Sequence, residues 1–102
     1  MNVRYVLAPE AALDLFHIWY YIKQESSLAT ADRVESVIRE KFVFLAERPG
    51  AGHWRKNLTD QPVKFFPVYS YLIVCRPESK PLQIVSVLHG HRNIERILKG
   101  RS

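Results

Sequence analysis

The sequence predicts an α+β fold, in which a mostly antiparallel β-sheet packs against an N-terminal α-helical hairpin. Apolar residues recur at helical spacing in two segments of the first half, and three runs rich in Val, Ile, Tyr and Phe follow in the second half. Helices and strands are therefore segregated along the chain, which favours α+β over α/β. The predicted element order is β-α-α-β-β-β-α, and 102 residues fit a single domain over residues 1–102.

A short apolar run and a proline predict the first strand and the first helix. Residues 3–7 form the strand, and Pro9 suits the first turn of the helix. The helix is expected to end within residues 25–27. Four apolar residues at i, i+3, i+4 and i+7 define its buried face: Leu15, Ile18, Trp19 and Ile22. Phe16 and Tyr20 are expected to widen that face, and the polar side is expected to carry Asp14, His17 and Lys23.

A second amphipathic helix completes the hairpin. Either Ser27 or Thr30 is suited to cap its N-terminus, and residues 49–52, with the sequence Pro-Gly-Ala-Gly, end it. Its apolar stripe is formed by Val34, Ile38, Phe42 and Leu45. Two such helices with a short connection predict an antiparallel pair.

The second half of the chain predicts three strands and a final helix. The strands are expected at residues 63–66, 69–76 and 82–89, and the second is apolar on both faces, which is typical of a central strand. Pro67 is expected in a turn or bulge between the first two strands. Asn93 is expected to cap a helix over residues 94–99, which Gly100 closes.

Charge is unevenly distributed between the two halves. Residues 1–50 hold six Lys/Arg and seven Asp/Glu, whereas residues 51–102 hold nine Lys/Arg and three Asp/Glu. The second half therefore carries a net charge of +6, which indicates an acidic partner.

Composition argues against several kinds of chemistry. Cys75, the single cysteine, lies in an apolar run and is expected to be an inert core thiol, so neither an intramolecular disulfide nor a cysteine-based zinc site is expected. No third ligand accompanies His89 and His91, so we expect no metal and no other cofactor. No apolar stretch reaches the length of a membrane span, and the N-terminus lacks the pattern of a signal peptide, so the expected location is the cytoplasm.

Basic residues interleaved with aromatic residues in the second half are the candidate binding residues. Cations neutralise phosphates and rings stack on bases, so this pattern is typical of proteins that bind RNA or single-stranded nucleic acid. The candidates are Trp54, Arg55, Lys56, Lys64, Arg76, His91, Arg92 and Arg96. A solvated basic surface with its strand aromatics in the core is the simpler explanation, and an acidic or amphipathic peptide is a further possible partner.

A metal-independent ribonuclease is a catalytic alternative for the same residues. RNA cleavage through the 2′-hydroxyl needs a base, an acid and cations on the phosphate. In that case the catalytic set would be Arg55, Arg76, His91 and Arg92.

The order of several motifs resembles the ParE/RelE superfamily of bacterial toxins over nearly the whole chain. The segment from Ala11 to Ile22 resembles the first helix of that superfamily. The Pro-Gly stretch after the hairpin, followed by Arg55, and the strand at residues 71–74 occur in the same order. The final strand runs into His-Gly-His-Arg at residues 89–92, and the Asn-Ile-Glu-Arg-Ile-Leu that follows is more similar to the ParE branch.

This resemblance implies the toxin of a type II toxin–antitoxin system. A ParE-like member would inhibit DNA gyrase by binding, without catalysing a bond change, and would be neutralised by a ParD-like antitoxin encoded beside it. A RelE-like member would instead cut mRNA on the ribosome. A non-toxic module that only binds an antitoxin is the third alternative.

Overall fold

The computed structural model describes residues 4–101, so Val3, at the start of the first predicted strand, lies outside the described residues. The elements follow the predicted order. The strands are β1 (Tyr5–Leu7), β2 (Lys64–Val68), β3 (Tyr71–Arg76) and β4 (Leu82–His89), and the helices are α1 (Pro9–Glu25), α2 (Leu28–Glu47) and α3 (Ile94–Gly100). A short 3-10 turn, Pro49–Ala51, follows α2.

The four strands form one sheet in the order β1-β4-β3-β2. Two of the three pairings, β2 with β3 and β3 with β4, are antiparallel, and β1 runs parallel to β4. The sheet is therefore mixed, and the central position expected for the second of the three strands is confirmed. Pro67 lies inside β2 rather than in a turn, because β2 is an edge strand, where a missing N–H disrupts no sheet hydrogen bond.

Two hydrophobic cores lie on opposite faces of the sheet. The α1–α2 hairpin covers one face, where Leu15, Phe42 and Ile73 are buried. On the other face α3 and Leu58 of the loop before β2 pack over Val74, Val85 and their neighbours. A register shift between Val74 and Cys75 places Ser86 opposite Val74 and Ile84 opposite Cys75, so Val85 is the extra residue of a β-bulge.

Local signals explain where the helices begin and end. Pro9 lies in the first turn of α1, and Ser27 rather than Thr30 caps α2, because its hydroxyl accepts the backbone N–H of Thr30 at 3.0 Å. Asn93 caps α3 by accepting the N–H of Arg96 at 3.1 Å. The last helix continues through Gly100, and Arg101 is its C-cap, one residue beyond the predicted end.

A buried ion pair joins the end of the chain to the first helix. Asp14, expected on the polar side of α1, is instead buried against β4. Its carboxylate accepts hydrogen bonds from both terminal nitrogens of Arg101, at 2.6 and 2.9 Å. The Asp14 carboxylate also accepts the backbone N–H of Val87 at 3.0 Å, and Arg101 donates to the hydroxyl of Ser86 at 2.8 Å. This carboxylate holds the pKa of Arg101 above its usual value. We call these four residues the C-terminal clasp.

We expect the clasp to contribute strongly to stability. Replacing Asp14 with Ala leaves the Val87 N–H and the Arg101 guanidinium without their acceptor, so the free energy of unfolding should fall by about 3 kcal/mol. Arg101→Met should cost a similar amount, and the double variant should cost less than the sum of the two. Urea denaturation measures each value.

The exposed Glu35–Arg39 pair on α2 provides the control for the clasp variants. Its atoms are 3.5 Å apart at i, i+4, and Glu35→Gln should cost less than about 0.5 kcal/mol. Clasp variants that lose no more stability than Glu35→Gln would contradict the assigned role.

Candidate functional site

The structure separates the candidate binding residues into groups at different positions on the sheet. One group lies beside the outer edge of β2 and contains Trp54, Arg55, Lys56 and Lys64. Another group follows β4 and contains His91, Arg92 and Arg96. Arg76 belongs to neither group, because it ends β3 and pairs with Gln83 at the start of β4.

An open cavity of about 370 Å³ lies between α1 and the end of the sheet. We call it the C-terminal cavity. From α1 it is lined by His17, Ile18 and Tyr21, and from the sheet and the turn after it by Tyr71, His89 and Arg92. The sheet places Tyr71 and His89 side by side, since the two residues are paired between β3 and β4.

Ring contacts position His89 at this cavity, between Tyr71 and His91. The ring centroids of Tyr71 and His89 are 5.5 Å apart in an edge-to-face arrangement, and those of His89 and His91 are 5.0 Å apart. His89 Nδ1 accepts the backbone N–H of His91 at 3.2 Å, so the His89 side chain helps to hold the turn after β4. Burial raises the pKa of the Tyr71 hydroxyl, and Tyr21 raises it further, so Tyr71 stays protonated at neutral pH.

Arg92 presents its guanidinium at the cavity. Among residues 4–101 it has no side-chain hydrogen bond and no ion pair, whereas Arg101 is fully engaged in the clasp. Its backbone N–H donates to the carbonyl of His89 at 3.0 Å, which fixes the turn. Gly90 supports the same turn by close approach, because a Cβ there would lie 3.3 Å from the carbonyl oxygen of Ser70.

The second basic group surrounds an exposed indole. The Nζ atoms of Lys56 and Lys64 lie 5.2 and 4.9 Å from the ring centroid of Trp54, whose exposed fraction is 46%. His53 exchanges two backbone hydrogen bonds with Phe65, both of 2.8 Å, and so holds this loop against β2. Two cation–π contacts thus fix a half-exposed tryptophan.

Further residues extend this group along the edge of the sheet. Phe66 lies two residues after Lys64 on the same face of β2, and its ring centroid is 5.7 Å from that of Phe44 on α2. The guanidinium carbon of Arg48 lies 6.0 Å from the Phe44 centroid. We call the whole series the edge cluster: Arg48, Phe44, Phe66, Lys64, Trp54 and Lys56.

Sequence patterns missed three members of the edge cluster. The spacing of Phe44 places it beside the apolar stripe of α2, and its contact with Phe66 depends on tertiary packing. Arg48 precedes the helix-ending proline and carries no motif of its own. The one sequence feature that indicated this binding surface was the cluster of basic and aromatic residues just after the Pro-Gly stretch.

The four residues proposed for ribonuclease chemistry do not form one cluster. Tyr71, beside His89, and Arg76 lie at opposite ends of β3, about 16 Å apart along the strand. Arg55 lies in the loop before β2, where its Nε donates to the side-chain oxygen of Asn57 at 3.4 Å. Only His91 and Arg92 lie together, in the turn after β4.

Neither the Cys75 thiol nor a metal site adds a reactive centre among residues 4–101. Cys75 is fully buried, as expected, and burial raises the pKa of its thiol to about 11, so the reactive thiolate is scarce at neutral pH. Within residues 4–101 the structure places no three His, Cys, Asp or Glu side chains where they would share a metal ion. None of the helices described is both long and apolar enough to cross a membrane.

Comparison with known proteins identifies the family. The sequence model described as "ParE toxin of type II toxin-antitoxin system, parDE" matches residues 5–94. The chain belongs to the ParE toxin family. No curated protein matches it significantly. A solved structure, "Chromosomal ParDE TA system from P. aeruginosa", is similar with a TM-score of 0.71 and 19% identity, covering 85% of this chain and 95% of that one.

The family match supports the predicted fold and covers both basic surfaces. At 19% identity the structural neighbour supports the α+β architecture alone. The matched range of the family model includes Trp54, Lys64 and Arg92, and it ends at Ile94, the first residue of α3. Most of α3 and the arginine of the clasp therefore lie beyond the region matched to other ParE toxins.

This ParE toxin also exposes an apolar strip on α1, which we call the hairpin strip. Phe16 and Tyr20, expected to widen the buried face, are 52% and 48% exposed, and Leu13 is 56% exposed. They lie at i, i+3 and i+7, so they form a single row on the helix. Phe16 stacks on Trp19 at 6.3 Å between centroids, next to a shallow cavity that Glu35 and Arg39 also line.

Proposed function

We propose that this ParE toxin inhibits DNA gyrase by binding it, without breaking or making a bond itself, and that a cognate antitoxin encoded beside it neutralises the inhibition. Membership of the ParE family carries the proposal. The basic second half of the chain, with a net charge of +6, fits an acidic antitoxin and a target that holds DNA. The cytoplasm, where gyrase and DNA meet, is the proposed site of action.

The C-terminal cavity is the proposed gyrase-contacting surface. Arg and Tyr are the residue types that most often dominate binding energy at protein interfaces. Arg92 has a guanidinium without a partner among the described residues, and Tyr21 exposes 62% of its surface at the same cavity. Since the turn that carries Arg92 is fixed by backbone hydrogen bonds, little conformational entropy is lost when the target binds.

The hairpin strip is the proposed antitoxin-binding surface. The hairpin strip is apolar and helical. It lies on α1, whereas the basic edge cluster lies on β2, on the loop before β2 and at the end of α2. An amphipathic helix of the antitoxin would bury Leu13, Phe16 and Tyr20, with Glu35 and Arg39 available for polar contacts at its rim. The acidic remainder of the antitoxin would then be free to reach the basic half.

Cleavage of mRNA on the ribosome is the second candidate function. The imidazole rings of His89 and His91, tilted by 36° with centroids 5.0 Å apart, follow each other beside Arg92 and would supply the acid and the base that such cleavage needs. The separation of Arg55 and Arg76 from this pair favours gyrase binding over cleavage.

We expect Arg92→Ala to abolish or strongly weaken inhibition in a gyrase supercoiling assay with purified toxin. Truncating a central interface arginine commonly costs at least about 2 kcal/mol, so the inhibitory concentration should rise about 30-fold. Arg96→Ala is the matched control, since it removes the same charge from the exposed face of α3 without lining the cavity.

Three outcomes would contradict the gyrase proposal or the surface assigned to it. The first, equal loss for the Arg92 and Arg96 variants, would contradict the C-terminal cavity as the contact surface. The second is wild-type toxin that leaves gyrase unaffected but cuts mRNA on ribosomes, which would favour the ribonuclease. The third is wild-type toxin inactive in both assays and without effect on growth, which would favour a non-toxic antitoxin-binding module.

We expect Phe16→Glu to weaken binding of the antitoxin encoded beside the toxin gene by at least about 30-fold, because a charge replaces an exposed ring at the centre of the hairpin strip. Isothermal titration calorimetry measures this affinity. Val43→Glu on α2 is the control, since Val43 is also exposed but lies outside the strip. Unchanged affinity for the Phe16 variant would refute the assigned surface.

A further inference from the structure

We infer that the edge cluster is a binding site for a single-stranded nucleic acid, separate from the proposed gyrase and antitoxin surfaces. The inference does not depend on gyrase being the target, because it concerns a direct contact between this chain and a polynucleotide strand. It is carried by the order of side chains along the edge, by their lack of ion-pair partners, and by the backbone of β2.

Cations and rings are interleaved along the edge cluster, with one cation beside the Phe44–Phe66 pair and two beside Trp54. Starting at α2, Arg48 contacts Phe44, which contacts Phe66 on β2, and the same strand then presents Lys64 against Trp54. Lys56 closes the series on the Trp54 ring at 5.2 Å. A single strand carries phosphates along its backbone and bases that stack on aromatic rings, so both of its chemical groups find partners here.

The three cations of the edge cluster are available for an external anion. Among residues 4–101, Arg48, Lys56 and Lys64 form no ion pair, and the charged group of each lies near an aromatic ring. Glu47, the carboxylate next to Arg48 in sequence, is instead paired with Arg4. The edge cluster itself therefore holds three positive charges and no carboxylate.

The backbone of β2 argues against an extended peptide as the occupant. A peptide adds to a sheet edge through a row of free N–H and C=O groups. Here the backbone of His53 is already hydrogen-bonded to both the N–H and the C=O of Phe65. Pro67, the next residue whose backbone faces that outer side, has no N–H. An acidic peptide held only by the lysines would also leave the exposed Trp54 ring without a stacking partner.

Trp54 itself is the proposed stacking platform for a base. Its two lysine contacts restrict the ring before binding, and its exposed fraction of 46% leaves surface for a base. Because every base has a π-face, stacking of this kind tolerates different sequences. The site should therefore bind single strands without strong sequence preference.

Fluorescence provides the direct test, since the chain has two tryptophans. In a Trp19→Phe background, Trp54 is the only indole, and an oligo(dT) of about 12 nucleotides should quench its emission on binding. Fluorescence anisotropy of a fluorescein-labelled oligomer gives the affinity of the wild-type chain. The observed binding constant should fall with salt with a log–log slope of about −2, as three phosphate contacts on a single strand require.

Variants separate stacking from charge. Trp54→Ala should weaken oligomer binding about ten-fold with little change in the salt slope. Lys64→Gln should reduce the magnitude of the slope by about 0.7. Lys23→Gln is the matched control, because its ammonium also lies over an indole, 5.3 Å from the Trp19 centroid, but on the hairpin; it should change neither quantity. Circular dichroism verifies that each variant is folded.

Further probes decide between possible occupants. Binding of oligo(dT) or oligo(U) that depends on both Trp54 and Lys64 supports the site, and comparison of oligo(dU) with oligo(U), which differ only in the 2′-hydroxyl, gives the preferred sugar. Equal binding of poly-glutamate, or oligomer binding that Trp54→Ala leaves unchanged, would overturn it in favour of an acidic protein or of a diffuse charge effect. Absence of oligomer binding at low salt would also overturn it.

Discussion

The clasp between Asp14 and Arg101 is the interaction on which the arrangement of the C-terminal half depends. The parallel pairing with β1 reaches only Ile84, so the rest of β4 has no strand on that side. There the Asp14 carboxylate accepts a hydrogen bond from the Val87 N–H. Arg101, at the end of α3, donates to the same carboxylate and to the hydroxyl of Ser86 beside the β-bulge. The Asp14 carboxylate thus links the hairpin, the sheet and the last helix. The turn that carries Arg92 connects β4 to α3, and both of these elements are held by the clasp.

This arrangement gives a small single sheet three distinct outward surfaces. The C-terminal cavity lies at the end of β3 and β4, the edge cluster lies along β2, and the hairpin strip lies on α1. A basic chain of this size thereby presents an arginine with tyrosines, a series of cations beside the exposed rings of Trp54 and Phe44, and an apolar helical row. Each surface suits a partner of different chemistry.

Much of the fold was predictable from local signals, whereas the sites depended on packing. Pro9 predicts the start of α1, and the run rich in Val, Ile and Leu at residues 82–89 predicts the full extent of β4. Asp14 and Phe16 were misplaced for opposite reasons: helical spacing treats an acid as solvated and an aromatic as buried, and neither assignment accounts for a buried arginine partner or an uncovered helix face. The separation of Arg76 from Arg92 follows from strand register, which spacing along the chain does not reveal.

Amide hydrogen exchange of the wild-type chain and of Arg101→Met tests most directly whether the clasp organises the C-terminal half. Protection reports the free energy of local opening at each amide. If the clasp has this role, the Val87 amide and the amides of residues 89–100 lose protection in the variant, while those within α1 and α2 keep theirs relative to global unfolding. Unchanged protection at Val87, or a loss spread evenly over the whole chain, would contradict it.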